Sequence, residues 1–271
     1  MAGIAVVIGV GGMGVAAAAR VGPGRTILLA DVDPAALSAV AGSLRAEGHE
    51  VVERAVDVSD AASVQGLAQA ARDLGRVEVL VHTAGVSPVQ APVQAVWQVD
   101  LLGTALVLDA FGAVVADGGA GVVIASMAGT LSTLDPDLER RLATTPADQL
   151  LALPELAPDV VTEPGIAYGI AKKGNQLRVR AASVGWGRRG ARVNSISPGV
   201  ISTPMGAAEL AGPSGEFMRG MIDASGTGRI GTAHDIAAAV DFLTGPHSSF
   251  VTGTDLLVDG GAVAGLYYPA S

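Results

Sequence analysis

The fold of this chain is decided by the segment Ile4-Ala5-Val6-Val7-Ile8-Gly9-Val10-Gly11-Gly12-Met13-Gly14. Ile4–Ile8 is an apolar run of strand length, and the glycines after it satisfy the pattern G-x-G-x-x-G. Glycines permit a tight turn and a close backbone approach to a pyrophosphate, which then lies on N–H groups at the start of a helix. The pattern is weak by itself, but its position between a predicted strand and a predicted helix is specific. The candidate cofactor-binding residues here are Gly9, Gly11, Gly12, Met13 and Gly14.

An acidic residue about twenty positions after the first glycine usually completes this pattern, and Asp31 stands at that position. Its carboxylate can accept hydrogen bonds from both hydroxyls of an adenosine ribose, and it would repel a 2′-phosphate. No basic residue flanks it, because its neighbours are Ala30 and Val32. The alternative is that Asp31 caps a helix, but Asp33, directly before Pro34, suits that role better. The sequence therefore predicts NAD rather than NADP.

The remainder of the chain alternates short apolar runs with longer Ala-rich stretches of helical spacing. The predicted strands are Ile4–Ile8, Thr26–Ala30, Glu50–Ala55, Val77–His82, Gly121–Ala125, Ala191–Ile196 and Leu256–Val258. The predicted helices fall near 13–21, 34–47, 61–74, 92–117, 168–188 and 233–243. Continuously apolar strands that alternate with helices indicate a parallel sheet covered on both faces. We therefore expect an α/β fold of Rossmann type, a doubly wound parallel sheet of about seven strands in a single domain over residues 1–271.

Composition narrows the classes of function. The chain has 271 residues, of which 49% are apolar and 16% charged, and its formal net charge is −9. This charge repels nucleic acid and anionic membranes, so we expect neither as a partner. The lack of cysteine excludes disulfides, thiolate chemistry and cysteine-type zinc sites, and we expect no metal. A reducing cytoplasm fits this composition.

The start of the chain is uncharged up to Arg20, which raises the question of a signal peptide or a membrane span. A signal peptide should open with basic residues, and the glycines in this stretch suit a lipid-spanning helix poorly. A strand, a turn and the start of a helix give every residue in it a role, and this is the interpretation that we prefer.

A second constellation is Tyr168-Gly-Ile-Ala-Lys172, in which the i, i+4 spacing places the phenol and the ammonium on one helix face. A free phenol has a pKa of about 10, and a neighbouring cation lowers that pKa and favours the phenolate. Lys172 can also hold a nicotinamide ribose. Ser126 follows the predicted strand Gly121–Ala125, at the carboxyl edge where open α/β sheets bind ligands. Its hydroxyl can hydrogen-bond a substrate oxygen as charge develops there.

With these residues in place, the sequence resembles the short-chain dehydrogenase/reductase family over nearly its whole length. The further matching residues are Asp57 with Val58, Ala84 with Gly85, Ser126 to Gly129, Asn194 to Gly199, Thr203 with Pro204, Gly253 with Thr254, and Val258 to Gly261. The resemblance implies an adenine contact at Asp57 and Val58, and a carboxamide contact at Thr203. It adds Ala84, Gly85, Pro198, Gly199 and Val200 to the predicted cofactor-binding residues, beside Tyr168 and Lys172. It also implies catalytic roles for Ser126, Tyr168 and Lys172.

The sequence departs from the family pattern at several positions. The glycine turn is one residue shorter than usual, and His82 stands where the family has asparagine; we interpret His82 as a strand-end residue rather than a base. Asp100 occupies the place of the fourth catalytic residue, normally an asparagine that supports a water relay from the lysine. An aspartate can accept the same hydrogen bonds or pair with Lys172, and both readings stay open. We interpret the methionines as helix packing, except that Met205 is a candidate for lining the substrate pocket.

The distance between Ser126 and Tyr168 is long for the family, and an insertion accounts for it at about residues 129–166. A subset resembling bacterial 3α-hydroxysteroid dehydrogenase/carbonyl reductase has a comparable insertion. Its prolines argue for an ordered excursion, and its leucines must be buried, either on the pocket of the same subunit or on helices of a neighbouring subunit. We therefore expect a homodimer or homotetramer. Residues 203–228 are expected to form a mobile lid over the substrate.

The expected function is that of an NAD(H)-dependent oxidoreductase. It interconverts a secondary alcohol and a ketone on a moderately bulky, apolar small molecule. The alternatives are a regulatory protein that binds NAD without turnover, and a family member that catalyses dehydration or epimerisation. Regulatory proteins of this kind typically lose the tyrosine or the lysine, and this sequence keeps both.

Overall fold

One parallel sheet of seven strands forms the centre of the molecule, in the order β3-β2-β1-β4-β5-β6-β9. The structure is a computed structural model and describes residues 3–268. The strands of this sheet are β1 (Gly3–Ile8), β2 (Thr26–Asp31), β3 (Glu50–Ala55), β4 (Arg76–His82), β5 (Val115–Ile124), β6 (Arg192–Pro198) and β9 (Asp255–Val258). Successive strands are added on one side of β1 up to β3 and on its other side from β4 onward, so the switch point lies between β1 and β4, where a doubly wound fold opens its ligand crevice. The predicted fold class is confirmed.

Helices cover both faces of the sheet. Their bounds are α1 (Gly12–Val21), α2 (Pro34–Ala46), α3 (Ala61–Leu74), α4 (Val93–Ala95), α5 (Gly103–Gly112), α6 (Met127–Leu131), α7 (Pro136–Thr144), α8 (Ala147–Leu150), α9 (Pro164–Gly187), α10 (Pro204–Ala211), α11 (Gly215–Ala224), α12 (Ala233–Thr244) and α13 (Ala262–Tyr267). Two short strands, β7 (Ile201–Ser202) and β8 (Gly231–Thr232), pair with each other beside the sheet. Short side chains fix several helix starts. The Asp33 carboxylate accepts from the N–H groups of Ala35 and Ala36 at the start of α2, as the sequence predicts.

The predicted helix over 92–117 differs from the observed structure. Between α4 and α5 the helix passes through a π-helical segment, Val96–Leu102, and it ends at Gly112. Residues from Val115 onward belong to β5, so the helical prediction for 113–117 is wrong. The register against β4 shifts between Val77 and Val79, and Gly118 with a φ of +80° lies in this irregular stretch. A run that is apolar throughout does not show where a helix ends and a buried strand begins.

Two apolar cores lie on the two faces of the sheet. The stretch Val93–Gly112 has a mean hydropathy of 1.3, and by length and composition it is the one described helical stretch that could cross a membrane. Its most apolar window is 61% buried inside the fold. Phe111 and Leu108 of this stretch are among the buried residues of the first core. The helix therefore uses its apolar side chains as part of the protein interior.

A third apolar cluster, which we call the insertion core, contains the buried side chains of the long segment before α9. Leu138, Leu142, Leu150 and Leu156 are buried there, packed against the π-helical segment and the first half of α9. Arg178 of α9 donates to the carbonyl oxygens at the end of α7, 3.0 Å to Leu142 and 2.9 Å to Thr145. The leucines thus pack on helices of their own chain. This differs from both of the expected surfaces, because leucine spacing indicates burial without identifying the partner.

Candidate active site

The glycine turn lines a cleft of about 500 Å³ at the carboxyl ends of the strands, which we call the glycine cleft. Gly9 has a φ of +101°, and a Cβ there would lie 2.5 Å from the Thr83 hydroxyl oxygen. A Cβ at Gly14 would collide with the Gly9 carbonyl oxygen, whereas one at Gly11 would meet no atom within 4 Å. The first two glycines therefore allow the turn to close, and Gly11 keeps the cleft open in front of the start of α1. This cradle fits the pyrophosphate of a dinucleotide.

Asp31 ends β2 at the edge of the glycine cleft, where the sequence predicts it. Its carboxylate accepts from the backbone N–H groups of Val10, at 2.8 Å, and Asp33, at 3.0 Å. Two carboxylate oxygens offer about four acceptor sites, so acceptor capacity remains for a ribose. Asp31 and Asp57 are the charged side chains among the described lining residues, and no lysine or arginine lines the cleft.

Most of the predicted cofactor-binding residues meet in the glycine cleft. Those that line it are Gly9, Gly11, Gly12, Met13, Gly14, Asp31, Asp57, Val58, Ala84, Gly85 and Thr203. Pro198 and Gly199 line the neighbouring cavity described next. Val200 lies apart from both, buried beside a smaller cavity near Val258. Val200 is therefore not among the residues that line the glycine cleft.

Ser126 and Tyr168 line a second cavity, of about 340 Å³, which we call the serine–tyrosine cavity. Ser126 directly precedes α6, and its hydroxyl oxygen accepts from the Ala128 N–H at 3.1 Å. Tyr168 faces the cavity from the second turn of α9. Met13, Thr203 and Met205 line both this cavity and the glycine cleft, so the two spaces adjoin.

Lys172 lies one helical turn after Tyr168, with its Nζ 5.3 Å from the centre of the tyrosine ring. The same Nζ lies 2.8 Å from Oδ1 of Asp100, which belongs to the π-helical segment. Both side chains are buried, Asp100 completely. A Cβ on Gly85 would lie 2.6 Å from this carboxylate oxygen and 3.2 Å from Nζ, so glycine at position 85 makes room for the ion pair. The structure thus pairs Asp100 with Lys172, one of the two readings that the sequence leaves open.

Comparison with known proteins identifies the family to which the chain belongs. A family model described as enoyl-(acyl carrier protein) reductase matches residues 7–136 and 148–263. A short-chain dehydrogenase/reductase of Alternaria brassicicola is 41% identical over 263 residues, covering 96% of this chain and 95% of that protein. The chain belongs to the short-chain dehydrogenase/reductase family. It is therefore an oxidoreductase that uses a nicotinamide cofactor, NAD or NADP.

A further relative and a solved structure resemble the chain over most of its length. D-threitol dehydrogenase of Mycolicibacterium smegmatis is 31% identical over 260 residues, covering 92% of this chain and 88% of that protein. A solved short-chain dehydrogenase/reductase from Serratia marcescens has a TM-score of 0.74 at 22% identity and covers 96% of this chain and 97% of that chain. This last likeness concerns the fold.

The electrostatics of the site follow from burial and from the Asp100–Lys172 pair. Burial is the main reason that the pKa of the Tyr168 phenol is raised; Lys172 acts against it, and Asp100 adds to it. Burial lowers the pKa of Lys172, but the Asp100 carboxylate and the phenol raise it by more, so Lys172 stays charged. Burial raises the pKa of Asp100, and Lys172 opposes that rise. The sequence predicts a phenol of lowered pKa; in this structure its pKa is raised instead, because burial outweighs the lysine.

His82 ends β4 in the interior, 1% exposed, as expected of a strand-end residue. Burial, with a smaller effect of Lys172, lowers its pKa to about 3, so the imidazole is neutral. Its Nε2 lies 3.3 Å from the Thr104 hydroxyl, which donates to the Asp100 carbonyl oxygen at 2.8 Å. His82 thus supports the segment that presents Asp100 and does not face either cavity.

The sequence interpretation missed most of the wall of the serine–tyrosine cavity. The methionines that line it are Met13, Met127, Met205, Met218 and Met221, which are all the methionines of the chain except Met1. The interpretation as helix packing does not include this role, except at Met205 and at Met13, which is among the predicted cofactor-binding residues and also lines the glycine cleft. Glu209 also lines this cavity. The expected lid over 203–228 consists of α10 and α11, which supply several of these residues.

No group of three or more histidine, cysteine, aspartate or glutamate side chains that could hold a metal ion occurs within residues 3–268.

Proposed function

We propose that this short-chain dehydrogenase/reductase is NAD(H)-dependent and interconverts a secondary alcohol and a ketone on a moderately bulky, apolar substrate. One observation carries the proposal: Ser126 and Tyr168 line a single apolar cavity that adjoins the glycine cleft. A substrate carbon bound between them would face the end of the cleft that Thr203 and Met205 share with the cavity. When bound, the nicotinamide supplies or accepts the hydride.

The remaining chemistry belongs to the side chains of this chain. Tyr168 donates a proton to the substrate oxygen in reduction and accepts it in oxidation. Its raised pKa keeps it protonated at neutral pH, which suits proton donation to a ketone. Ser126 donates a hydrogen bond to the same oxygen as negative charge develops on it. Lys172 stays protonated beside the phenol, where it stabilises the phenolate that proton donation leaves behind, and it can hold the nicotinamide ribose.

Asp100 acts through Lys172 and is a positioning residue in this proposal. Its carboxylate fixes the ammonium by the contact of 2.8 Å and keeps it charged. A buried ammonium without this partner would lose its proton more readily, because burial disfavours the charged form. We therefore assign Asp100 to the maintenance of the Lys172 charge, in place of a relay asparagine.

The preference for NAD rests on the charges of the glycine cleft. Its charged lining residues are Asp31 and Asp57, and a 2′-phosphate would meet these carboxylates without a lysine or arginine to neutralise it. Asp31 accepts from Val10 and Asp33 with its two oxygens, which orients the carboxylate at the ribose end of the cleft.

The insertion, the assembly and the location of the protein complete the proposal. The family model leaves out residues 137–147, which fall inside the insertion at 129–166. This supports a place in the subset that resembles bacterial 3α-hydroxysteroid dehydrogenase/carbonyl reductase.

We propose a cytoplasmic homodimer or homotetramer. Members of the family are typically oligomeric, and the net charge of −9 opposes membrane association.

The test is a panel of secondary alcohols and ketones, followed at the NADH absorbance with NAD(H) and NADP(H) separately. We expect reversible turnover of apolar cyclic or bicyclic members with NAD(H). An α,β-unsaturated thioester belongs in the panel, because the family description names enoyl reduction. Consumption of NADH with the thioester alone, or binding of NAD without turnover of any member, would contradict the proposal.

A further inference from the structure

Glu209 is an anomaly in the wall of the serine–tyrosine cavity. The described lining residues are otherwise uncharged, and five of them are methionines. A carboxylate next to apolar side chains loses hydration, which costs free energy unless a partner compensates it. No lysine or arginine lines the cavity. The charge of Glu209 is therefore not balanced by a cation of the cavity wall.

A hydrogen bond from Ser87 fixes the carboxylate of Glu209 in place. The Ser87 hydroxyl, in the loop after β4, donates to Oε1 of Glu209 at 2.7 Å. Ser87 is 1% exposed and Glu209 is half-buried on α10, so this bond is partly buried. The second oxygen, Oε2, accepts no hydrogen bond from any residue within 3–268. The hydrogen bond thus fixes Oε1 of Glu209, and Oε2 can accept a hydrogen bond from a ligand.

The carboxylate also acts on the reacting end of the cavity. Burial is the largest cause of the raised pKa of Tyr168, and the charge of Glu209 contributes to it after that of Asp100. The same charge helps to keep Lys172 protonated. Glu209 and Tyr168 line the same cavity of about 340 Å³, so one small molecule bound there can contact both.

We propose that Glu209 is a specificity-determining residue that accepts a hydrogen bond from a second donor group of the substrate, remote from the reacting carbon. The substrate class is then an apolar secondary alcohol or ketone with a further hydroxyl or ammonium group. The methionines surround its body, because their flexible thioether side chains adapt to irregular apolar shapes. A substrate without the donor leaves the carboxylate desolvated and unpaired, and sites of this kind discriminate strongly against such analogues. This inference rests on the proposed alcohol–ketone activity.

The experiment compares matched substrates in the wild type and in Glu209→Met, which replaces the acid with the prevailing side chain of the cavity. The substrates are cyclic secondary alcohols of increasing size, each as the mono-alcohol, the diol, the amino alcohol and the hydroxycarboxylate. The quantity compared is kcat/KM for each substituted alcohol relative to its mono-alcohol. We expect the diol or the amino alcohol to be preferred by the wild type and the hydroxycarboxylate to be rejected.

In Glu209→Met the preference for the donor-bearing substrate should fall by about 10- to 100-fold, the range for hydrogen bonds to charged groups. Glu209→Gln keeps an acceptor oxygen and should retain preference for the diol while losing preference for the amino alcohol. Glu216→Met is the matched control, because Glu216 is an exposed acid on α11 of the same lid and does not line the cavity. Thermal unfolding of each variant shows whether it folds.

The outcomes separate this inference from the function on which it rests. If the wild type turns over the mono-alcohols but shows no preference for a second donor, and Glu209→Met and Glu209→Gln leave the ratios unchanged, the assignment of Glu209 is overturned and the oxidoreductase activity stands. If the wild type turns over no alcohol or ketone with either nucleotide, the proposed function is wrong, and the assignment of Glu209 is overturned with it.

Discussion

Oδ1 of Asp100 lies 2.8 Å from Nζ of Lys172, in a part of the interior where neither side chain is more than 6% exposed. The contact joins the π-helical segment Val96–Leu102 to the helix that presents Tyr168. π-Helical turns within α-helices are frequently found at functional sites. The segment therefore determines where the carboxylate stands relative to the lysine.

Replacement of Asp100 by asparagine tests this pairing. The carboxylate holds the pKa of Lys172 up against burial, so its removal lowers that pKa. The lysine then loses its proton at a lower pH, and the alkaline limb of the pH–rate profile should move to lower pH. Because the wild-type Lys172 pKa is raised, its contribution to stability is present below the unfolded pKa, about 10.4, and is lost as the pH rises through the folded value.

The matched control is Asp109→Asn, which removes an exposed carboxylate on α5 that interacts with Arg178 and not with Lys172. It should leave the pH–rate profile unchanged. An unchanged profile in Asp100→Asn, together with full activity in Asp100→Ala, would show that position 100 has no role in the reaction.

The cofactor preference depends on the charge of Asp31. Asp31→Asn keeps an oxygen that can accept from the Val10 N–H but removes the negative charge. The ratio of kcat/KM for NADP to that for NAD should rise at least about tenfold, because repulsion between charges about 4 Å apart is worth on the order of 1–4 kcal/mol near a protein surface. Asp57→Asn in the same cleft should have the smaller effect. A wild type that uses NADP as well as NAD would contradict the preference.

The insertion core should contribute to stability more than to substrate binding. Leu142 is completely buried against α9 and does not line the serine–tyrosine cavity. Leu142→Ala should lower the free energy of unfolding by about 2–5 kcal/mol, the usual cost of such a cavity, with little change in KM. Urea unfolding measures the free energy of unfolding, and steady-state kinetics measures KM. Leu151→Ala, at a half-buried position of the same cluster, should cost less; an equal cost at both positions would refute the packing argument.

The sequence predicts the central sheet well, because strands of a covered parallel sheet are apolar throughout and stand out between helices. It also predicts the glycine turn, Asp31 and the Tyr168–Lys172 face, because each depends on residues that are close in the chain or on the conserved geometry of the sheet edge. Where an apolar run continues from helix into strand, as it does before Val115, no local signal marks the boundary.

The missed features depend on contacts between distant segments. The π-helical turn at Asp100 changes the direction in which the carboxylate points. The spacing of apolar residues does not clearly change there, so the sequence does not predict the turn. The leucines of the insertion show that they need burial but not that α9 of the same chain provides it. The methionines from α1, α6, α10 and α11 meet around one cavity only after the chain has folded. Similarly, burial reverses the expected direction of the Tyr168 pKa, and local sequence does not report that burial.

The most direct test of the account is Tyr168→Phe, which removes the hydroxyl and little else. The variant is measured for NADH binding by fluorescence titration and for kcat/KM with the best alcohol of the panel. We predict unchanged NADH affinity and a loss of kcat/KM of about 10²- to 10⁴-fold, the range for a general acid–base group. A Tyr168→Phe enzyme that folds, binds NADH and works within a few-fold of the wild-type rate would contradict the central claim that this phenol transfers the proton.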